Sequence, residues 1–432
     1  MSFPVKHDHA TLNFPDEFLW GAATSAHQVE GNNIHSDWWE WEQKHQPEEK
    51  RSGVACDEYN RFEEDFDLLK SLNHNAHRLS IEWARIEPEE GKFDYSAIEH
   101  YKQVLEALKK RDIKIMLTLN HFSLPLWIAK KGGWENFRAP AYFERYVKTV
   151  VSEIKDQVDL WVTINEPEIL VYMDYIEGSW PPQKKSSLAV LKANWNLTRA
   201  HKKAYKTIHK FIPGAKVGIA QNVQTYEAFH MHSPIEQLGV VFSDIFANHL
   251  FHFLTRGYHD FLGVNYYFHH RMECKNGLLP KLVDVTAFSK DVSDMGFEIY
   301  PPGIFKILMD LSDHLPIYIT ECGIATTNDD RRIRFLMQYL VEVHQAIRAG
   351  VDVRGFFYWS LLDNLEWEKG FEPEFGLIAV NRQTQERKVK PSALVYTDII
   401  KYNGIRHELM KFLGHRIHAD EVIDIPGLGE IK

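Results

Sequence analysis

Eight short runs of β-forming residues alternate with one-faced helical stretches along the 432 residues, and this predicts an α/β fold, a single (β/α)8 TIM barrel. Strands separated by helices pair in parallel, because parallel strands need long crossovers. Eight such units in one chain favour a closed barrel over an open sheet. No linker or compositional break divides the chain, so it reads as one domain over 1–432. An N-terminal arm is expected at 1–13, and a C-terminal helix and tail at 405–432.

Residues 18–24 are the first strand candidate, leading into Gln28, Glu30 and Gly31. Trp38, Trp39 and Trp41 follow and read as loop packing. Phe62, Phe66 and Leu69 at helical spacing predict a helix over 60–73. Residues 76–81 alternate as the second strand. Ile98, Tyr101, Leu105 and Leu108 stripe the next helix, before a third strand at 114–119. A helix over 142–154 precedes the fourth strand, which ends at Glu166. Residues 188–211 predict a long helix, 216–221 the fifth strand and 261–265 the sixth. The seventh strand ends in Glu321. Ile333, Leu336, Leu340, His344 and Ile347 share one helical face ahead of the eighth strand, 353–358.

Two of these strands end alike. In Leu315-Pro-Ile-Tyr-Ile-Thr-Glu321-Cys-Gly323, strong β-formers lie between proline and glycine, so Glu321 sits where the strand stops. In Leu160-Trp-Val-Thr-Ile-Asn165-Glu166-Pro167, proline closes the strand directly behind a glutamate. A carboxylate buried alone is costly, so each must be paired, solvated or functional. The barrel gives the pair meaning, because its active sites form at the C-terminal ends of the strands. Gln28, Arg78, His121, Asn165, Glu166, Asn265, Glu321 and Trp359 all fall at or just past such ends.

The totals exclude several classes. A net charge of −10 argues against a nucleic-acid partner. No apolar run approaches the roughly 20 residues that span a membrane, and the polar first 14 residues lack a signal-peptide core. Cys56, Cys274 and Cys322 are too few and scattered for a disulfide framework or zinc site. His249 with His252, and His269-His270, lack converging ligands, so no metal is assigned. The expectation is a cytoplasmic protein acting on small molecules, with no membrane partner and with homo-oligomer formation left open. The acidic run 87–90 reads as a solvated loop.

Two carboxylates in an aromatic-rich pocket suit glycoside hydrolysis, one protonating the leaving oxygen and the other attacking the anomeric carbon. The attacking group must stay ionised, and Arg78 and Tyr267 are candidates for its support. The acid must hold a proton near neutral pH through burial or a negative neighbour. Trp359, Trp367 and Phe375 could wall the pocket, because sugar C–H faces stack on rings. Taken singly, these residues have ordinary readings: an ion pair for Arg78, core packing for Tyr267 and Trp359, turns for Gln28 and Asn265.

Taken together, the motifs carry a resemblance. Phe18-Leu-Trp-Gly-Ala-Ala-Thr-Ser-Ala-His-Gln28-Val-Glu-Gly31 resembles the N-terminal signature of glycoside hydrolase family 1, the β-glucosidase and β-galactosidase family. Thr163-Ile-Asn165-Glu166-Pro167 is similar to its acid/base motif, and Ile319-Thr-Glu321-Cys-Gly323 to its nucleophile motif. Trp359-Ser-Leu-Leu-Asp-Asn-Leu-Glu366-Trp367, followed by Phe375-Gly-Leu377, resembles its sugar-binding segment. The resemblance spans roughly residues 14–395 and is specific as a set. It implies retaining hydrolysis of terminal β-glucosyl residues, with β-galactosyl and β-fucosyl also accepted, and no cofactor. It implies that Glu166 is the general acid/base and Glu321 the nucleophile, supported by Arg78, Asn265 and Tyr267. Gln28, Glu366 and Trp367 would hold the hydroxyls farthest from the scissile bond. His121 and Asn165 would grip the 3- and 2-hydroxyls, Trp359 would form the floor, and Phe375 would line the 6-position.

Four features depart from the family's pattern. Cys322 stands where asparagine is usual, and Phe122 where tryptophan is frequent. Phe297 takes the place of a tryptophan that stacks on the aglycone. The stretch 250–260 is shorter than in relatives, which suggests a more open aglycone side. Two alternatives stay open: a 6-phospho-β-glycosidase, and a non-catalytic sugar-binding barrel. The first needs a basic and hydroxyl cluster after the eighth strand, where the chain has Glu366, Trp367, Glu368 and Lys369. The second needs a lost catalytic carboxylate.

Overall fold

A computed structural model describes residues 12–274, 281–284, 286, 289, 291–312 and 315–414. Among them, eight parallel strands close into a barrel: β1 (Leu19–Ala23), β2 (Ala76–Ser80), β3 (Lys114–Thr118), β4 (Leu160–Asn165), β5 (Val217–Ala228), β6 (Leu262–Glu273), β7 (Ile317–Cys322) and β8 (Val353–Trp359). Each pairs with its neighbours in sequence, and β8 returns to β1 to close the ring. This is the expected fold. Ile317 and Ile319 of β7 join the layer between barrel and helices, while Tyr318 points into the smaller core inside the barrel. That alternation is the period-two signature of a strand covered on both faces.

The helices form where sequence spacing and caps agree. Asp94 accepts from the backbone N–H groups of Ser96 and Ala97 and starts α2 (Tyr95–Lys110), following α1 (Glu58–Ser71). Ile98, Tyr101, Leu105 and Leu108 turn one face of α2 onto the barrel. Outside the barrel lie also α3 (Ala139–Ile154), α4 (Ser187–Phe211), α5 (Pro234–Asp244), α6 (Pro301–Asp310), α7 (Asp329–Arg348) and α8 (Pro391–Lys401).

Several expectations need correction. β5 and β6 run seven and eight residues beyond the spans read from sequence, and pair with each other from Gln224↔Phe268 to Ala228↔Met272. Polar residues such as His269 and Arg271 hid this ribbon, because its stability comes from cross-strand pairing rather than propensity. Trp38, Trp39 and Trp41 lie on a helix, Asp37–His45, capped by Ser36, not in a loop. Glu87 is fully buried rather than solvated: it accepts from Trp83 Nε1 and Gly91 N and pairs with Arg145. Of the expected arm, Leu12–Asn13 pairs antiparallel with Gly404–Ile405. The C-terminal segment is described as a short 3-10 turn, His407–Leu413; residues 1–11 and 415–432 lie outside the described residues. No helix among the described residues is long and apolar enough to cross a membrane.

Candidate active site

Strand register delivers the polar residues to one end of the barrel. Asn222 of β5 lies opposite Asn265 of β6, and Asn265 opposite Glu321 of β7, so three polar side chains fall in one row. Glu166 follows the last residue of β4 in a left-handed conformation (φ 40°) and starts the short helix Pro167–Val171. Its backbone N–H donates to Ala220 O at 2.7 Å. Gly323 explains how the chain leaves Glu321: a Cβ there would meet the Trp359 carbonyl oxygen at 1.7 Å. Only glycine lets the chain pass so close to β8.

The two glutamates sit in different electrostatic surroundings. Glu321 accepts from Arg78 Nη1 on one oxygen and from the Tyr267 hydroxyl, at 2.8 Å, on the other. A cation and a phenol are the donors a carboxylate anion needs. Among the described residues, no cation is in hydrogen-bond contact with Glu166. It accepts from Asn265 Nδ2 at 2.7 Å and Asn222 Nδ2 at 3.1 Å. Burial first, and the negative charge of Glu321 second, lift its carboxyl to about 8. Glu166 therefore keeps a proton at neutral pH, while Glu321 faces a cation and a phenol.

Arg78 organises more than Glu321. Its Nη2 donates to Asn165 Oδ1 at 2.6 Å, and its Nη1 also donates to Thr320 O at 3.1 Å. With its oxygen committed, Asn165 turns Nδ2 to His121 Nε2 at 3.3 Å. Burial, reinforced by the Arg78 cation, holds His121 well below its ordinary pKa. The neutral ring therefore accepts at Nε2 and carries its proton on Nδ1. His121 also stacks on Trp359 (centroids 5.8 Å) and on Trp367 (6.1 Å).

The resulting cavity has a volume of about 610 Å3 and contains both glutamates. His121, Asn165, Tyr267, Trp359, Glu366, Trp367, Phe375 and Phe297 line it too. Burial and the acidic neighbours Glu368, Glu321 and Glu166 lift Glu366 to about 8. Two residues have partners within the protein that the sequence reading did not name. Gln28 is fully buried; its amide donates to Leu365 O at 2.6 Å and accepts from Ser25 Oγ at 2.6 Å. It braces the segment carrying Glu366. Asn265, expected beside the nucleophile, donates to Glu166 instead, while its Oδ1 accepts from Thr320 Oγ1.

Among the lining residues that sequence reasoning missed are Asn222, Trp180 and Glu168. Asn222 gave no signal, because its strand appeared to end one residue earlier. Trp180 packs edge-on to Phe122 (5.0 Å) and against Trp367, adding an indole to the lining beside the smaller Phe122. Glu168, two residues after Glu166, accepts from Gln221 Nε2 at 2.9 Å and is lifted by burial to about 8. Its proximity to Glu166 in sequence was the available cue. Cys322 lies in the apolar layer outside the barrel, its thiol pushed up by burial. His249 bridges Asp244 (3.3 Å) and Asp310 (2.9 Å), and those carboxylates raise it to about 10. A protonated imidazole accounts for that cluster.

The family model described as glycosyl hydrolase family 1 matches residues 10–252 and 246–405. A 1,4-beta-D-glucan glucohydrolase from Thermotoga neapolitana is 31% identical over 91% of this chain and 99% of its own length. The solved beta-glycosidase from Pyrococcus horikoshii superposes with a TM-score of 0.87 at 38% identity, covering 94% of this chain and 99% of its own. The family 1 β-glucosidase from Thermotoga maritima in complex with isofagomine lactam gives 0.85 at 30% identity, over 92% and 100%.

Proposed function

The chain belongs to glycosyl hydrolase family 1, and from that premise we propose that it is a retaining β-glucosidase acting on terminal non-reducing β-D-glucosyl residues, with β-galactosyl and β-fucosyl groups also accepted. The observation that carries the assignment of roles is the asymmetry between Glu321, gripped by Arg78 and Tyr267, and Glu166, lifted to about 8. In the first step a Glu321 oxygen bonds to the anomeric carbon as the bond to the aglycone oxygen breaks. Glu166 gives its proton to that oxygen. In the second, the Glu166 carboxylate takes a proton from water, whose oxygen attacks the same carbon and releases Glu321.

The remaining lining residues hold the sugar. Trp359 and Trp367 offer ring faces, Phe375 a wall, and His121 and Asn165 offer N–H donors to its hydroxyls. Glu366 accepts from hydroxyls remote from the scissile bond. Two carboxylates and one water balance the reaction. Small β-glycosides and short oligosaccharides are the substrates of this reading, and the cytoplasm its setting.

The decisive experiment compares rates on aryl β-glucoside, β-galactoside and 6-phospho-β-glucoside, and traps the enzyme with a 2-deoxy-2-fluoro glucoside. Turnover of the unphosphorylated sugars, with the label on Glu321, is the expected result. Activity confined to the phosphorylated sugar would replace the reading with a 6-phospho-β-glycosidase. Inactivity on all three without labelling would leave a sugar-binding barrel.

A further inference from the structure

Asn222, Gln224 and Tyr226 alternate along β5 and so stand on one face of that strand. Between Val223↔Tyr266 and Gln224↔Phe268 the register with β6 steps by one residue, and Tyr267 falls in the gap. Such a bulge re-aims side chains. Tyr267 reaches Glu321, and the three β5 residues line the same cavity.

Their side chains are joined end to end. The Tyr226 hydroxyl donates to Gln224 Oε1 at 2.7 Å, Gln224 Nε2 to Asn222 Oδ1 at 3.0 Å, and Asn222 Nδ2 to Glu166 Oε1 at 3.1 Å. An amide gives at one end and accepts at the other, so each bond decides the direction of the next. With Gln224 Oε1 taken by the phenol, the Gln224 N–H turns to Asn222, and Asn222 keeps its own N–H on the carboxylate. Reversed, Asn222 would set a carbonyl oxygen against Glu166, which favours the protonated carboxyl and opposes the anion.

The row is held at both ends of its outer half. Asn248, fully buried in the turn Ile245–His249, accepts from Gln224 N at 2.9 Å and donates to Gln224 O at 2.7 Å. A backbone N–H only donates and a carbonyl only accepts, so the Asn248 amide fits in one orientation. The same Nδ2 donates to Asp244 Oδ1 at 2.7 Å. Tyr226 stacks on His270, its register partner on β6, at 5.3 Å. Burial first, then Asp244 and Tyr172, push the Tyr226 phenol up, so it stays a donor. Burial and His269 hold His270 down to about 4, so that ring is neutral.

At the inner end, Glu321, Glu168, Glu366 and Tyr267 bear on Glu166, while Arg78 and His121 are bonded to its neighbour Asn165. Burial and Glu321 oppose ionisation of Glu166, and the bonds from Asn265 and Asn222 favour it. We propose that Gln224 and Tyr226 are positioning residues that act through Asn222, fixing its N–H on Glu166 so that the carboxylate left by proton transfer is stabilised. The inference rests on the glycosidase reading above, with Glu166 as its acid/base.

The test follows kcat/KM for methyl β-glucoside against pH in Tyr226→Phe, Gln224→Leu, Asn222→Ala and Tyr226→Phe/Asn222→Ala. In each single variant the basic limb should move up, by at most about one pH unit, the scale of one hydrogen bond to a charged group. The double variant should move no further than Asn222→Ala alone, because residues acting in one row are not additive. An unmoved or lowered limb in any single variant would overturn the proposal. Shifts that add in the double variant would overturn it too, since Tyr226 would then act without Asn222. Tyr226→Phe removes one oxygen and keeps the ring on His270, so it decides the matter even if Gln224→Leu fails to fold. A basic limb that survives in Glu166→Gln would instead refute Glu166 as the acid, and with it the glycosidase assignment of roles.

Discussion

Asn265 donates its amide to Glu166 at 2.7 Å, and its carbonyl oxygen accepts from Thr320, the residue beside Glu321. One asparagine on β6 therefore holds Glu166 while bonded to the strand that carries Glu321. This bond stabilises the ionised form of Glu166 and opposes the effects of burial and of Glu321.

In the proposed mechanism Glu166 must be protonated for the first step, so kcat/KM for substrates with poor leaving groups should fall as pH rises through about 8. Glu166→Gln removes that basic limb and lowers the rate roughly 10²–10⁴-fold on such substrates. Dinitrophenyl β-glucoside, whose leaving group needs no proton, loses far less in the glycosylation step. A pH–rate profile of both enzymes on both substrates checks this.

Asn265→Ala removes a bond that lowers the Glu166 pKa. The basic limb should therefore move to higher pH, with Asn222→Ala shifting it in the same direction. A downward or absent shift would show that the asparagines act only on packing.

Arg78→Met leaves the buried Glu321 without its cation and removes one donor each from Asn165 Oδ1 and the Thr320 carbonyl. Loss of one partner of a buried pair costs about 3–5 kcal/mol. The variant should show a lowered Tm and a kcat/KM reduced by at least about 10²-fold, the scale of losing one preorganised charge contact. Calorimetry and steady-state rates measure the two effects separately.

Glu166, Glu168 and Glu366 are all lifted from 4.5 to about 8. The folded protein keeps protons there that the unfolded chain releases above about 4.5, so their contribution to stability is lost as pH rises from about 4.5 through about 8. Glu366→Gln should narrow the Tm difference between pH 5 and pH 8.5. The same substitution should weaken glucoside hydrolysis without creating activity on a 6-phosphoglucoside.

Cys322→Asn restores the residue usual after a family nucleophile, yet here the side chain lies in an apolar layer. An amide buried there without partners costs about 1–3 kcal/mol. The variant should unfold at lower temperature with no gain in rate, and Cys322→Ala should retain most of the activity.

The sequence by itself determined the eight strands, five of the helices between them (α5 and α6 were not among them) and the two glutamates at strand ends. Each of these rests on local patterns: period-two and period-3.6 hydrophobicity, Pro167 and Gly323 as punctuation, and short motifs. Tertiary structure alone decided which donor serves which carboxylate. Asn265 and Glu321 are separated by 321 − 265 = 56 positions, yet register places them opposite each other, and the bond of Asn265 nevertheless goes to Glu166. The bond of Gln28 to Leu365, the continuation of β5 and β6 as a ribbon, and the outward apolar stripe of α5, whose one buried side chain is Glu236, are likewise long-range outcomes. A hydrophobic stripe states that a helix has an apolar face; only the packed barrel settles whether that face turns to the core or to the mouth of the active site.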